Sequence, residues 1–118
     1  MIAHNLAMKV RYAAIPATVL IAAAAPALAD GDIAAGREAA HQCEVCHGLD
    51  GQSKIPEAPN LAGQTQAYLV KQLSDFKAGK RENEMMSVVV PALKPEDIDN
   101  LAAYYSAIEV KIGKVPGE

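Results

Sequence analysis

Beyond residue 29 the apolar positions recur at helical spacing in three stretches. The first opens after Asp30-Gly31-Asp32, where Asp32 offers an N-cap oxygen, and runs from Ile33 to about Gln42. Gly36 in its interior costs about 1 kcal/mol of helix propensity relative to Ala. The close approach of another helix is one reason to keep it there. The second stretch spans Gln66 to Ala78, with Leu69, Leu73 and Phe76 at i, i+4 and i+7 and Gly79 as a stop. The third starts at Pro95, a residue suited to a first helical position, and Glu96 and Asp97 favour its positive end. Ile98, Leu101, Ala102, Tyr105 and Ile108 then line one face. No stretch alternates with period two, and Val88-Val89-Val90 is stopped by Pro91. The pattern predicts an all-α fold of three main helices. The link between the first two, with Gly48, Gly51, Pro56 and Pro59, suggests backbone wrapped around something other than a bare bundle.

The first 29 residues follow a different pattern. Lys9 and Arg11 precede an apolar run over 12–25, and Pro26-Ala27-Leu28-Ala29 supplies an A-x-A cleavage signal before Asp30. This predicts a cleavable secretory signal over 1–29 and a single domain over 30–118, with Met8 a more compact start than Met1. A transmembrane anchor fits less well, because the run falls short of the roughly 20 residues needed to span and Pro16 interrupts it. The expected location is the periplasm, with no membrane span after cleavage.

Setting that segment aside changes the arithmetic. Nine basic and 14 acidic residues remain, a net charge of −5, which disfavours binding to nucleic-acid phosphates. The apolar fraction falls to about 43 %, near the usual globular value, so the domain is neither disordered nor membrane-embedded. Only four aromatic residues remain (Tyr68, Phe76, Tyr104, Tyr105). Small scaffolds usually complete so thin a core with disulfides, a metal or a cofactor. A bridge between the only cysteines, Cys43 and Cys46, would close a trivially short loop.

Cys43-Glu44-Val45-Cys46-His47 is C-x-x-C-H, the attachment sequence of c-type haem. Two thiols three residues apart on a helically entering chain can form thioethers with the two vinyl groups of one porphyrin. The next residue then turns its imidazole to the iron. A zinc site would want four ligands, and only His41 remains, too near in sequence to close a tetrahedron. A thioredoxin-like pair would want a βαβ context, which is absent. For the second axial position the candidates are Met85 and Met86, the only methionines beyond residue 29, in a loop before the last helix. His41 lies two residues before Cys43, on the proximal side, and reads as a solvated helix residue.

Taken together these residues resemble a class I cytochrome c, most of all the small bacterial single-haem members and the halves of tandem dihaem members. The matching set runs from Gly36 through Cys43-x-x-Cys46-His47-Gly48-x-Asp50-Gly51 and Pro59-Asn60-Leu61-Ala62-Gly63-Gln64. It continues through Tyr68-Leu69-x-x-Gln72-Leu73-x-x-Phe76-Lys77-x-Gly79, Met86 and Leu93 to Asp97-Ile98-x-x-Leu101-Ala102-Ala103-Tyr104-Tyr105. The resemblance implies one covalent haem c, with His47 and Met86 as axial iron ligands; Met86 stands seven residues before Leu93, and Met85 is the alternative. It also implies that the carbonyl of Pro59 accepts the N–H of His47, and that Gly36 meets the last helix against Leu101 and Tyr104 or Tyr105. Lys94 departs from the Ser or Thr cap that relatives often carry.

Axial positions both filled by protein leave none for oxygen or a substrate, and methionine ligation raises the potential. The expected function is a one-electron shuttle between periplasmic redox proteins, not an enzyme in its own right. Two other classes share the motif. One is a haem-bearing subunit of a larger dehydrogenase or oxidase; the other is a gas-binding or peroxidatic haem protein with a labile distal side.

Overall fold

The computed structural model of the protein describes residues 30–118; the expected secretory signal lies outside the described residues. Five α-helices and no strands occur among them. The first, α1 (Ile33–Ala39), is capped by the Asp32 carboxylate, which accepts the Ala35 N–H at 2.8 Å. It tightens into a 3-10 turn over Ala40–Gln42 and runs directly into a single helical turn, α2 (Glu44–His47). After a long loop come α3 (Gln66–Lys77), a short α4 (Met86–Val89) continued by a 3-10 turn over Val90–Ala92, and α5 (Pro95–Ser106). None of the described helices is long and apolar enough to cross a membrane.

The three long elements fall where the apolar periodicity puts them. The segment around the methionines does not: the sequence reads as a loop there, but the chain makes a helical turn beginning at Met86. Lys94 supplies no side-chain cap to α5. Asp97 acts instead, its carboxylate reaching back to accept the Lys94 N–H at 3.1 Å.

The last helix, α5, is the hub, packing α1 on one side and α3 on the other. Because two helices cover it, its buried set is wider than one stripe and includes Ala103 and Tyr104 beside Ile98, Leu101, Ala102 and Tyr105. Leu69 and Phe76 of α3, Val90 and Leu93 complete a small core in which Leu101 and Val90 are the largest fully buried side chains.

At Gly36 the α1–α5 crossing is backbone against backbone. A Cβ there would lie 2.0 Å from the Asn100 carbonyl oxygen and 2.7 Å from Tyr104 Cβ. The partner is thus Asn100 with Tyr104, one residue earlier on α5 than the expected Leu101, because the helix turns Leu101 into the core. Gly36→Ala gains about 1 kcal/mol of helix propensity but overpacks the crossing, at a cost of roughly 1–3 kcal/mol. The expected net result is a lower denaturation midpoint for the holoprotein; a higher midpoint would show that the two backbones separate freely.

Candidate haem site

The two thiols and the imidazole are set by the passage from the 3-10 turn into α2. The Cys43 carbonyl accepts the His47 N–H at 2.9 Å, and the Glu44 carbonyl accepts the Gly48 N–H at 2.9 Å. Cys43 and Cys46 are half-buried and unpaired, whereas Val45 between them is 77 % exposed. Gly48 then leaves the helix at φ 72°, ψ 149°, a conformation that side chains rarely adopt. The turn therefore ends one residue after His47.

His47 is the buried polar residue of the described chain. Its Nδ1 lies 2.9 Å from the Pro59 carbonyl oxygen. A carbonyl only accepts, so Nδ1 carries the proton and Nε2 keeps its lone pair, without a protein partner among the described residues. The loop that presents Pro59 is braced from within. The Asn60 side chain accepts the Ser53 N–H at 2.7 Å, the Lys54 N–H reaches the Cys46 carbonyl at 2.8 Å, and the Leu61 N–H reaches that of Gly51 at 2.8 Å. The Asp50 carboxylate accepts the Gln52 N–H and the Lys54 ammonium, which hold its pKa below the usual range.

From the other side, α5 pins the same loop. The Tyr105 hydroxyl donates to the Gly48 carbonyl at 3.1 Å and the Tyr104 hydroxyl to that of Leu49 at 2.7 Å, with Arg37 of α1 3.3 Å from the latter hydroxyl. Burial pushes the Tyr105 phenol well up, so it stays a donor at any physiological pH. Sequence reasoning placed these tyrosines on a packing face and missed their hydroxyls. Period-3.6 patterning reports which side of a helix is apolar, not where the tip of a tyrosine ends.

The methionines separate clearly. Met86 is half-buried against the core cluster, whereas Met85 is 62 % exposed. His41 is exposed and faces Glu44, 3.2 Å away. No cluster of three or more His, Cys, Asp or Glu side chains that could hold a metal ion occurs among the described residues.

The residues fit a c-type haem by their donor chemistry. The Cys43 thiol is pushed up to about 11, by burial first and then by the neighbouring Cys46. It is therefore a neutral thiol rather than the activated thiolate of a redox pair. Beside it stand a fixed imidazole with an open Nε2, one half-buried thioether and a core thinner than 89 residues usually build.

A helical domain with this attachment turn defines a haem carrier of the c type. Residues 33–108 match the family model for cytochrome c. The chain belongs to that family, as a class I c-type cytochrome with one covalently bound haem c. It is 42 % identical over 85 residues to cytochrome c4 of Pseudomonas aeruginosa, covering 72 % of this chain and 42 % of that one. It is 40 % identical over 82 residues to cytochrome c-554(548) of Halomonas halodenitrificans, covering 67 % of this chain and 99 % of that one. The crystal structure of reduced recombinant cytochrome c4 from Pseudomonas stutzeri superposes with a TM-score of 0.64 at 38 % identity, covering 70 % of this chain and 48 % of that one. The chain thus spans about half the length of the cytochrome c4 proteins it matches and nearly all of cytochrome c-554(548).

Tyr105→Phe leaves the buried Gly48 carbonyl without its donor and is expected to cost about 1–3 kcal/mol, read from denaturant unfolding of the holoprotein. Unchanged stability would mean that another donor replaces the hydroxyl.

Proposed function

We propose that this protein is a periplasmic one-electron carrier in which Cys43 and Cys46 hold the haem by thioethers and His47 Nε2 and Met86 Sδ are the axial iron ligands. The observation that carries the reading is the contrast between the two methionines. Met86 is turned onto the core ahead of α5, while Met85 points to solvent. When bound, the haem supplies an iron that takes up and gives back one electron. The chain's residues tune that exchange. The proton held on Nδ1 by Pro59 fixes the His47 ring and strengthens its donation. A thioether partner favours the ferrous state and raises the potential.

With both axial positions taken by protein side chains, no ligand position is left for a substrate. This favours a carrier over a gas-binding or peroxidatic protein, and the chain turns over no substrate of its own. The net charge of −5 beyond residue 29 gives no broad basic docking face. Val45 on the attachment turn and Met85 and Val88 beside the distal turn are exposed apolar side chains. They support an apolar rim at which a donor and an acceptor dock briefly, as small redox interfaces do. Those partners are periplasmic redox proteins, free or as subunits of a dehydrogenase or oxidase. Export rests on the basic, apolar and A-x-A pattern of residues 1–29.

Optical spectra of the exported protein after acid–acetone extraction test the reading. Haem is expected to stay with the polypeptide, and the ferric form to show the weak far-red band of a methionine–iron bond. Cys43→Ala combined with Cys46→Ala is expected to abolish covalent haem. Met86→Ala is expected to remove the band with the haem still attached, and Met85→Ala to leave it in place. A band lost only in Met85→Ala would shift the distal ligand by one residue. Retained haem without any such band would move the protein to the gas-binding or peroxidatic class.

A further inference from the structure

A four-residue helix has no stability of its own, yet α4 carries Met86 and lies largely in solvent: Met85, Ser87 and Val88 are exposed, and burial is complete only at Val90. Two side chains outside the helix hold it. At its start the Asn83 amide oxygen accepts the N–H groups of both Met85 and Met86, at 3.0 and 3.1 Å. The Ser87 hydroxyl returns the bond by accepting the Asn83 N–H at 2.9 Å, and the Asn83 carbonyl accepts the Ser87 N–H at 2.9 Å. At its far end Pro91 interrupts the backbone bonding. The Lys77 ammonium, from the last residue of α3, donates to the carbonyls of Pro91 (3.2 Å) and Leu93. Lys77 follows Phe76, which is seated in the core, so this second tie joins the segment to a fixed helix.

We propose that Asn83 and Lys77 are positioning residues for Met86, clamping the two ends of its segment and setting how readily Met86 leaves the iron. The proposal rests on Met86 being the distal ligand. The reason is mechanical. Rotation of the side chain alone moves the Met86 sulfur only a short way; room for an external ligand comes when its turn swings outward, and that motion breaks the two N–H bonds to Asn83 or the two carbonyl bonds to Lys77. Neither side chain has to touch the haem for this to operate.

The test is titration of the ferric holoprotein with imidazole at neutral pH, which measures replacement of Met86 by an external ligand, alongside the far-red band and the denaturation midpoint. Asn83→Ala is expected to bind imidazole about fivefold more tightly, the size of a lost helix cap. Asn83→Asp, which can accept the same two N–H groups, is expected to restore the affinity of the unaltered protein. Lys77→Met keeps the stem, removes the donor, and is expected to raise imidazole affinity several-fold. Asp32→Ala removes the N-cap of α1, at the end of that helix away from the attachment turn; it lowers global stability and is expected to leave imidazole affinity unchanged, which separates positioning from stability. Unaltered affinity in both Asn83→Ala and Lys77→Met, or failure of Asn83→Asp to restore it, would overturn the proposal. If Met86→Ala retains the far-red band, the distal assignment has failed instead of the clamp.

Discussion

The backbone crossing of α1 and α5 is the constraint on which the proximal half of the molecule depends. With no side chain at Gly36, the two helices close until a Cβ would meet the Asn100 carbonyl oxygen at 2.0 Å. That approach fixes two things at once. It brings the end of α1 to the place where the chain turns into Cys43 and His47, and it sets α5 so that Tyr104 and Tyr105 reach the carbonyls just beyond them. The loop is then held at both ends, by hydroxyls on one side and by the His47–Pro59 bond on the other. A bulkier residue at position 36 would press on the crossing that sets α5, and with it on the hydroxyls of Tyr104 and Tyr105.

The distal half is built on a different logic. It hangs from α3 and from Val90 and Leu93, which are buried, while the segment between Arg81 and Val88 lies mostly in solvent. Its order comes from side-chain-to-backbone bonds at particular residues rather than from burial. Such bonds contribute little each in water. The proximal and distal halves therefore differ in stiffness, the first set by packing and the second by a few polar ties. A turn hung in this way is the less firmly held of the two.

This difference also explains what could be read from the sequence. Packing leaves a periodic trace, so the three long helices, their buried faces and the stop at Gly79 were legible. The attachment turn was legible because C-x-x-C-H has few competing uses. The choice between Met85 and Met86 was not settled by spacing, since adjacent residues differ only in the direction their turn gives them. That turn read as a loop because Pro91 and a polar run hid a helix of a single turn. The available signal was Asn83, a residue favoured at helix starts, three positions before Met86. Likewise the expected clash partner Leu101 gave way to Asn100 and Tyr104, because a one-residue rotation of a helix face is finer than periodicity resolves. Asp97 took over the cap that Lys94 could not supply, a substitution visible only once the helix start was placed.

Electrostatics joins the two halves. Among the described residues the buried set is apolar apart from His47 and the phenols of Tyr104 and Tyr105, and burial keeps the Tyr105 phenol and the Cys43 thiol neutral. Glu44 on the attachment turn is half-buried and faces His41, and Asp50 in the following loop is exposed and paired with Lys54. An added positive charge among the apolar walls finds little counter-charge from the chain, so that part of the interior favours the less charged state of whatever it encloses. The acidic surface lies outside this shell, where solvent screens it. With haem held as proposed, the same neutrality that the small core needs for stability would favour the ferrous form. Apolar packing around Leu101 and Val90 and the ferrous preference proposed for the site then have one physical cause, the exclusion of charge from the interior.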